Sequence, residues 1–398
     1  MMTKYILIIT AVYPPEPVVS ARLSYDLYQA LTDLGYRVKV MHPRPTRPYG
    51  FNLESCECCG EDEIVAQSFT CPQSQIIGRM RESWDFGQFC TDYIRVHHTE
   101  ISCIYANAWP LFSQYAIVKS AKKFNVPCVI HIQDVYPESL TNKLYGVFGK
   151  MVHCAILPID KYIIRNSCKI IAISEKMKTH LVRTRGITPD KVSSIANWQD
   201  ENEFVDVKRR FENVGCHDKF TFMYLGNIGP VAGVDLLIDA FIRLKHVRAR
   251  LVIAGSGSMK EQLQNRASAF KDIEFWNVPN GMVPEIQAHA DVMILPVKKG
   301  AASSSIPSKL PAYMFSAKPI IGCVDEDSDT ANAILEAECG WVIEPENVEK
   351  LVETMGMVAD LDRDVLNAKS RKAISYGLAH FSKQKNLKKL VSVVEEIL

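Results

Sequence analysis

Lysine, serine and glycine residues concentrate between residues 298 and 309, in a segment typical of phosphate binding. The segment reads KKGAASSSIPSK and leads into a predicted helix over residues 310–315. Ammonium groups, hydroxyls and the free N–H groups of a helix start all stabilise phosphate oxygens. We therefore expect a diphosphate to bind there. The residues expected to hold it are Lys298, Ser304, Ser305, Ser308 and Lys309. A flexible glycine-serine linker is the alternative interpretation.

Two glycine-containing turns follow predicted strands in the same half of the chain. One turn, with Gly226, Asn227 and Gly229, follows the strand over 220–225. The other, with Gly255, Gly257 and Ser258, follows the strand over 250–254. Glycine allows a backbone to approach a ligand closely, so both turns are candidates for binding a phosphate-containing ligand. The second is only the first half of a GxGxxG pattern, and a plain turn between strand and helix is the alternative.

Polar side chains also follow a predicted strand over residues 128–132 in the first half. His131, Gln133, Asp134 and Glu138 lie at or just after its carboxyl end. Ligands of open α/β sheets bind outside this end of the strands, which makes the four residues candidates for catalysis. For any one of them, a structural hydrogen-bonding role is an equal alternative.

Two clusters could hold a metal ion, but neither has a convincing pattern. Cys56, Cys58, Cys59 and Cys71 could bind zinc, although CxCC is not a standard finger spacing. The acidic run DEDSD over 325–329 could bind a divalent cation. A surface loop with reduced thiols and a helix-capping loop are the preferred interpretations. No metal or other cofactor is predicted.

Strands and helices alternate along most of the chain. Strands are predicted over 5–10, 36–40, 102–106, 128–132, 169–173, 192–196, 220–225, 250–254, 273–276, 292–296, 319–324 and 340–343. Residues 44–75 are predicted to be irregular, and 200–218 to be a linker. This pattern predicts two doubly wound α/β domains, over residues 1–200 and 201–375. A helical segment over 376–398 is expected to pack back toward the first domain.

The composition of the chain is typical of a globular protein and does not favour a nucleic-acid-binding or membrane-spanning one. Apolar residues make up 47% and charged residues 23% of the 398 residues, and the formal net charge is +1. This is ordinary for a globular protein, and no overall positive field favours nucleic acid as a partner. No secretory leader or spanning helix is predicted, so a cytoplasmic location is expected, with peripheral membrane contact as an open question. Basic residues near Ile77 and Trp84 could dock on anionic lipid, with a solvated basic face as the alternative. They are Arg79, Arg81 and Arg95.

Several stretches in order along nearly the whole chain resemble family 4 retaining glycosyltransferases. They include YPPEP, HIQDVYPES, YLGNIG, LVIAGSGSMKEQL and IPSKLPAYMFSAKPII. The resemblance implies a GT-B fold of two facing Rossmann-like domains with an interdomain cleft. Within the family, the chain resembles bacterial enzymes of capsule, O-antigen and exopolysaccharide assembly. Such enzymes transfer sugars, often N-acetylated, from UDP-sugars to lipid-linked or saccharide acceptors at the inner membrane face.

The resemblance also implies a mechanism. Uracil and ribose would bind near residues 255–258 and Val278, and the diphosphate over 304–309. The departing phosphate would take the acceptor proton, while His131, Gln133 and Asp134 orient the sugar or acceptor. No metal would be needed.

Some family residues are replaced in this chain. The arginine and lysine of the first donor turn fall near Asn227 and Ala232, and the two acids of the EX7E motif near Ser304 and Ala312. The missing acids keep a non-catalytic partner of an active transferase as an alternative. A UDP-sugar epimerase of the same fold, which also binds a UDP-sugar, is another.

Overall fold

The computed structural model describes residues 4–16, 18–46, 60, 62–72, 75–107, 111–141, 146–204, 219–230, 232–246, 248–279, 281–300 and 306–398. These residues form two compact units. The first contains the described residues up to Asn197 together with Lys385–Leu398, and the second those within Trp198–Gln384. The sequence analysis places the corresponding boundaries at 200 and 375.

The first unit is built on a parallel sheet of seven described strands, in the order β3-β2-β1-β4-β5-β6-β7. The strands are β1 (Tyr5–Thr10), β2 (Val38–Pro43), β3 (Glu63–Ala66), β4 (Ile101–Asn107), β5 (Cys128–Ile132), β6 (Lys169–Ala172) and β7 (Val192–Ser194). All residues of β1 and β5 are buried, as expected where both faces of a parallel sheet are covered. The predicted strands over 5–10 and 128–132 are confirmed.

Strand β3 lies inside the segment that was predicted to be irregular, and that prediction is wrong for these four residues. β3 pairs with β2 at the sheet edge, with Val40 opposite Glu63 and Pro43 opposite Ala66. Three of its four residues are only half-buried. A four-residue edge strand has too little apolar periodicity to stand out from the acidic sequence around it.

Helices of the first unit connect these strands. They are α1 (Val19–Asp33), α2 (Ile76–His97), α3 (Leu111–Lys123), α4 (Glu138–Thr141), α5 (Gly146–Asn166) and α6 (Glu175–Arg185). Helix α1 buries Leu23, Leu27 and Leu31 along one stripe, and Gly35 just beyond its end has a positive φ of 86°. A leucine stripe on the buried face and a glycine in the left-handed region after the last turn are usual features of such a helix.

The second unit contains a parallel sheet of six described strands, in the order β10-β9-β8-β11-β12-β13. The strands are β8 (Phe220–Leu225), β9 (Ala249–Ala254), β10 (Ile273–Trp276), β11 (Val292–Pro296), β12 (Ile320–Cys323) and β13 (Gly340–Ile343). Each was predicted, with ends within one residue. The order changes direction between β8 and β11, which pair with each other, while β9 lies on the other side of β8. Ligands of such sheets bind at this kind of switch point.

Helices of the second unit follow the predicted alternation. They are α7 (Val234–Arg243), α8 (Lys260–Ala267), α9 (Val283–Ala288), α10 (Lys309–Phe315), α11 (Asp329–Glu336), α12 (Val348–Ala359), α13 (Arg363–His380) and α14 (Lys383–Glu395). Helix α14 crosses the boundary, since residues from Lys385 onward belong to the first unit. None of the described helices is long and apolar enough to cross a membrane.

Candidate functional site

The turns after β8 and β9 pack backbone against backbone. Gly226 N–H donates to Ala254 O at 3.0 Å, and Ile228 N–H donates to Ser256 O at 2.8 Å. These bonds continue the sheet pairing past the ends of the strands. They hold the two predicted donor turns side by side at the switch point.

Glycine is required at two positions of the second turn. A Cβ on Gly255 would lie 2.1 Å from Gly226 O, and one on Gly257 would lie 2.3 Å from Ile228 O. Both distances are far below van der Waals contact, and the atoms met are backbone. Gly255 also has a φ of 134°, which other residues rarely adopt. The two glycines of GSGS therefore allow the backbone of this turn to pack directly against the backbone of the turn after β8.

Lys309, the first residue of α10, extends its side chain across the first turn. A Cβ on Gly226 would lie 2.1 Å from Lys309 Cε, so the lysine stem runs directly over this glycine. Its Nζ lies 5.6 Å from the centroid of the Tyr224 ring. This distance allows a cation–π attraction. A lysine predicted from a serine-rich segment is thus brought onto the turn after β8.

The ammonium group of Lys309 is half-buried, and burial lowers its pKa from the usual value. Among the residues that the structure describes, no carboxylate pairs with it and no group accepts its hydrogen bonds. A partly desolvated cation without a counter-charge is unfavourable. The site is therefore electrostatically suited to an anion.

Two tyrosines position this lysine. The Tyr313 hydroxyl, on α10, donates to Leu225 O at 2.9 Å and accepts from Leu225 N–H at 3.1 Å, which ties α10 to the last residue of β8. The Tyr224 hydroxyl donates to Asn227 O at 2.6 Å and fixes the turn below the lysine. The sequence analysis missed both, because nothing in the local pattern distinguishes them from ordinary core residues.

A lysine also closes the second turn. Lys260 Nζ donates to Gly255 O at 2.9 Å and to Asn277 Oδ1 at 2.8 Å. The lysine stands where a third glycine would complete GxGxxG. It links this turn to the segment after β10, which contains the half-buried Val278. Ser258 in the turn is exposed.

The remaining residues of the predicted phosphate segment are only partly visible. Ser304 and Ser305 lie outside the described residues, as does the rest of 301–305. Ser308 is exposed, Lys298 is half-buried, and Gly300 N–H donates to Asp325 Oδ2 at 2.8 Å. Helix α10 has seven residues. The dipole of so short a helix stabilises a bound anion little. Among the described residues, Lys309 is therefore the main positive charge of the site.

The acidic run after β12 acts as a helix cap. Ser328 accepts a hydrogen bond from Ala331 N–H at 3.1 Å at the start of α11. No group of three or more potential metal ligands occurs among the described residues. Cys56, Cys58 and Cys59 lie outside the described residues, and Cys71 is a buried free thiol.

In the first unit, His131 lies within the core. It is 1% exposed, and its Nδ1 lies 2.6 Å from the Tyr105 hydroxyl. Burial lowers the pKa of His131 to about 3, so its imidazole is neutral at physiological pH. Its Nε2 is buried without a hydrogen-bond partner among the described residues. Burial and the contact with Tyr105 favour a structural role for His131, and its catalytic role stays a prediction.

Gln133 is better placed for binding. Asn197 Nδ2 donates to Gln133 Oε1 at 2.8 Å. Within the described chain, Gln133 Nε2 and Asn197 Oδ1 are buried without hydrogen-bond partners. The pair thus keeps one donor and one acceptor unused, and a hydroxyl group can satisfy both. Asn197 was not predicted, although it directly follows the predicted strand over 192–196. Asp134 next to Gln133 is exposed.

Glu138 belongs to an ion-pair network around the buried Arg185, which favours the structural role that the sequence left open for it. Arg185 is 1% exposed, and its Nη2 lies 2.7 Å from Glu138 Oε2. Arg185 Nε donates to Asp160 Oδ2 at 2.5 Å, and His180 Nε2 lies 3.0 Å from Glu138 Oε1. The network joins α4, α5 and α6, and sequence alone gave no sign that Arg185 is buried.

The two carboxylates of this network differ in their ionisation. Burial opposes the ionisation of Glu138, but hydrogen bonds from Arg185 and His180 outweigh it and lower its pKa to about 2. Burial raises the pKa of Asp160 to about 6 despite the attraction of Arg185. One guanidinium shared by two acids stabilises one charge fully and the other only in part.

Comparisons with known proteins agree with this architecture. A family model described as Glycosyltransferase Family 4 matches residues 20–203, and one described as Glycosyl transferases group 1 matches 219–360. A probable glycosyltransferase of Pseudomonas aeruginosa, WbjE, is 22% identical over 297 residues, which cover 72% of each chain. A putative colanic acid biosynthesis glycosyl transferase of Escherichia coli, WcaI, is 25% identical over 249 residues, 58% of this chain and 60% of that protein.

Solved glycosyltransferase structures share the fold. Anabaena HepE in complex with UDP-glucose superposes with a TM-score of 0.67 at 15% identity, over 98% of this chain and 99% of that chain. Sucrose-phosphate synthase of Thermosynechococcus elongatus gives 0.74 at 14% identity, over 99% of both chains. The fold is GT-B. The chain is a glycosyltransferase, with a family 4 domain followed by a group 1 domain.

Proposed function

We propose that the protein transfers a sugar from a UDP-sugar to an acceptor hydroxyl with retention of anomeric configuration. The second unit binds the donor, and the first unit binds the acceptor. The observation that carries the proposal is the Lys309 ammonium group, which is half-buried over Gly226 without an anionic partner among the described residues. The diphosphate of the donor supplies the missing charge.

We propose further donor contacts at and beside the two turns. Uracil and ribose bind beside Gly255, Ser258 and Val278, where Lys260 joins the turn to Asn277. The diphosphate lies across Gly226 toward Lys309, with Ser304, Ser305 and Lys298 as further ligands. Complexes of Anabaena HepE with UDP and with UDP-glucose support this choice of nucleotide.

The reaction needs no protein nucleophile. The bond between the anomeric carbon and the diphosphate oxygen breaks, and the acceptor oxygen forms its bond on the same face of the sugar. The acceptor proton passes to the departing phosphate oxygen. Negative charge therefore grows on the diphosphate as the bond breaks. Lys309 stabilises the transition state, in which this charge is larger, more strongly than it stabilises the ground state.

The acceptor is a saccharide, lipid-linked or free, used in cell-surface polysaccharide assembly. The similarity to the putative colanic acid biosynthesis glycosyl transferase of Escherichia coli supports this choice of acceptor. The Gln133–Asn197 pair keeps an unused donor and acceptor, which match a sugar hydroxyl. A lipid-linked acceptor would place the protein peripherally on the inner membrane face.

Calorimetric titration with UDP and with uridine tests the role of Lys309. Lys309→Gln should weaken UDP binding by about 30-fold, since a charge-assisted hydrogen bond contributes about 2 kcal/mol. Uridine has no phosphate, so its affinity should stay within about twofold. Lys350→Met is the control, because Lys350 pairs with Glu353 on the exposed face of α12. Equal losses for UDP and uridine, or unchanged UDP binding, would contradict the proposal.

Stereochemistry is tested by proton NMR of the first-formed product. Slow hydrolysis of UDP-glucose or UDP-N-acetylglucosamine should release the α anomer before mutarotation. A β anomer would show inversion. Release of UDP also separates transfer from epimerisation, in which the nucleotide stays attached to the sugar.

We propose further that the reaction requires no divalent metal, because Lys309 offsets part of the diphosphate charge. Initial rates should be unchanged after treatment with EDTA and removal of the chelate. A strict dependence on added Mg²⁺ or Mn²⁺ would overturn this part and leave the donor assignment intact.

A further inference from the structure

Helices α2 and α5 extend beyond the start of α3, which lies between them. The Trp84 ring, two turns into α2, packs against the Phe112 ring at the start of α3, with centroids 6.3 Å apart. The Tyr162 ring, late in α5, lies 5.1 Å from the Tyr115 ring of α3. At about 3.6 residues per turn, each outer helix therefore begins about two turns or more before α3 does.

Both projecting ends carry the same exposed pattern. On α2 it consists of Ile77, Met80, Arg81 and Trp84, which we call the α2 stripe. On α5 it consists of Val147, Lys150, Met151 and Cys154, which we call the α5 stripe. Each follows the spacing i, i+3, i+4, i+7, so each forms one helix face. All eight side chains are exposed.

The exposure of the apolar members is unusually high. Ile77 is 82% exposed, Val147 76% and Met151 65%. Other large apolar side chains exposed in the described chain are single or far apart on their helices. Scattered residues of this kind are normal on a protein surface, whereas a repeated apolar face marks a binding surface.

The charge of the stripes indicates what they bind. Each contains one cation, Arg81 or Lys150, and neither contains a carboxylate. No acidic residue occurs in α5 before Asp160. Asp85 lies beside the α2 stripe, and its Oδ2 is 3.7 Å from Arg81 Nε, an exposed pair that contributes little. Apolar and aromatic residues interleaved with cations suit the boundary between lipid headgroups and acyl chains.

We propose that the α2 and α5 stripes dock the protein on an anionic lipid bilayer. Ile77, Trp84, Val147 and Met151 enter the headgroup boundary, and Arg81 and Lys150 contact lipid phosphates. The inference rests on the proposed function, because membrane docking would bring the protein to a lipid-linked acceptor in the bilayer. It also revises the basic patch predicted from sequence, because Arg79 pairs with the buried Glu82 and Arg95 with Asp92 far from the projecting end.

Vesicle flotation of the full chain tests the surface. The wild-type protein should float with vesicles of phosphatidylglycerol and phosphatidylethanolamine and bind phosphatidylcholine vesicles much less. The double variant Ile77→Ser/Met151→Ser should lower the partition coefficient at least about tenfold, because each loses the burial of a large apolar side chain. The control Leu335→Ser/Met357→Ser removes two exposed apolar residues of the second unit and should bind as wild type. Both substituted residues, Ile77 and Met151, are mostly exposed, so folding should persist.

The variant Arg81→Gln/Lys150→Gln should weaken binding to anionic vesicles by about tenfold at low salt and less at high salt. Absence of wild-type binding, or equal binding by the Ile77→Ser/Met151→Ser variant, would overturn the inference. A concentration-dependent dimer that the Ile77→Ser/Met151→Ser variant abolishes would also overturn the inference. The stripes would then be a contact between two copies of the chain. UDP titration in solution is measured separately. If UDP binds and vesicles do not, only the docking surface falls, and if UDP does not bind, the proposed function falls.

Discussion

Lys309 lies across Gly226 so closely that a methyl group on the glycine would be 2.1 Å from Lys309 Cε. The glycine is thus required for the lysine to reach its position, although the two residues are far apart in the sequence. The atom met belongs to a flexible side chain and not to backbone. A larger residue at 226 should therefore displace the lysine, and the positive φ of 158° at this position adds backbone strain.

The variant Gly226→Ala should bind UDP about tenfold more weakly while the free energy of unfolding falls by only about 1 kcal/mol. Calorimetry and urea denaturation measure the two effects. Gly356→Ala is the matched control, because a Cβ there meets only Leu244 Cδ1 at 3.7 Å. Unchanged UDP affinity in Gly226→Ala would mean that the lysine position does not matter for the donor.

The variant Gly255→Ala should behave differently, because its Cβ would meet the backbone oxygen of Gly226 at 2.1 Å. Neither turn can move without breaking the hydrogen bonds between them. We expect a loss of about 3 kcal/mol in unfolding free energy, from steric overlap together with backbone strain. Urea denaturation of wild type and variant provides the test, and a loss below that of Gly226→Ala would be inconsistent with the packing described.

The pH dependence of UDP binding should report Lys309. Burial lowers the pKa of its ammonium group in the free protein, whereas a bound diphosphate favours the charged form and raises it again. UDP affinity is then full below the pKa of the free protein and falls as pH rises through it. Calorimetry between pH 7 and 10 should show this fall in wild type but not in Lys309→Gln.

The ionisations of UDP itself are common to both proteins and cancel in the comparison. Parallel profiles for wild type and Lys309→Gln would show that this ammonium group does not contact the diphosphate.

Glu138→Gln should destabilise the first unit without abolishing chemistry. The variant leaves the buried Arg185 guanidinium with Asp160 as its remaining carboxylate, and breaking a buried ion pair costs about 3 kcal/mol. The activity of the protein that remains folded should stay within about threefold, a change of less than 1 kcal/mol in the barrier. Thermal denaturation measures the loss of stability. Initial rates, measured 20 °C below the midpoint of thermal unfolding, measure the activity of the folded protein. Glu353→Gln, at an exposed pair, is the control. A large loss of activity with intact stability would restore Glu138 as a catalytic residue.

The sheet strands could be predicted closely because buried parallel strands are short, nearly uninterrupted apolar runs. YILIIT, CVIHI and FTFMYL each match the observed strand. The edge strand β3 was missed because its exposed side has no such run. Strand ends then correctly indicated where Gln133, Gly226 and Gly255 would lie.

Relationships between distant residues could not be predicted in this way. The sequence suggested Lys309 and Gly226 as separate donor residues, but the contact between them depends on α10 packing beside β8. Arg185 was missed, since a charged residue near a helix end is normally solvated and burial here depends on acids from α4 and α5. Glu138 was predicted to be catalytic because its ion pair with Arg185 could not be recognised from the sequence.

Residues Lys385–Leu398 belong to the same unit as the start of the chain. Lys169 Nζ lies 2.9 Å from Glu396 Oε2, and Leu390 and Val394 are completely buried. During synthesis, the ribosome must therefore translate the whole second unit before the first can cover this apolar surface. A premature stop codon shortly before residue 385 would keep both sheets but remove this part of the first unit, and the surface that Leu390 and Val394 cover would be exposed to water.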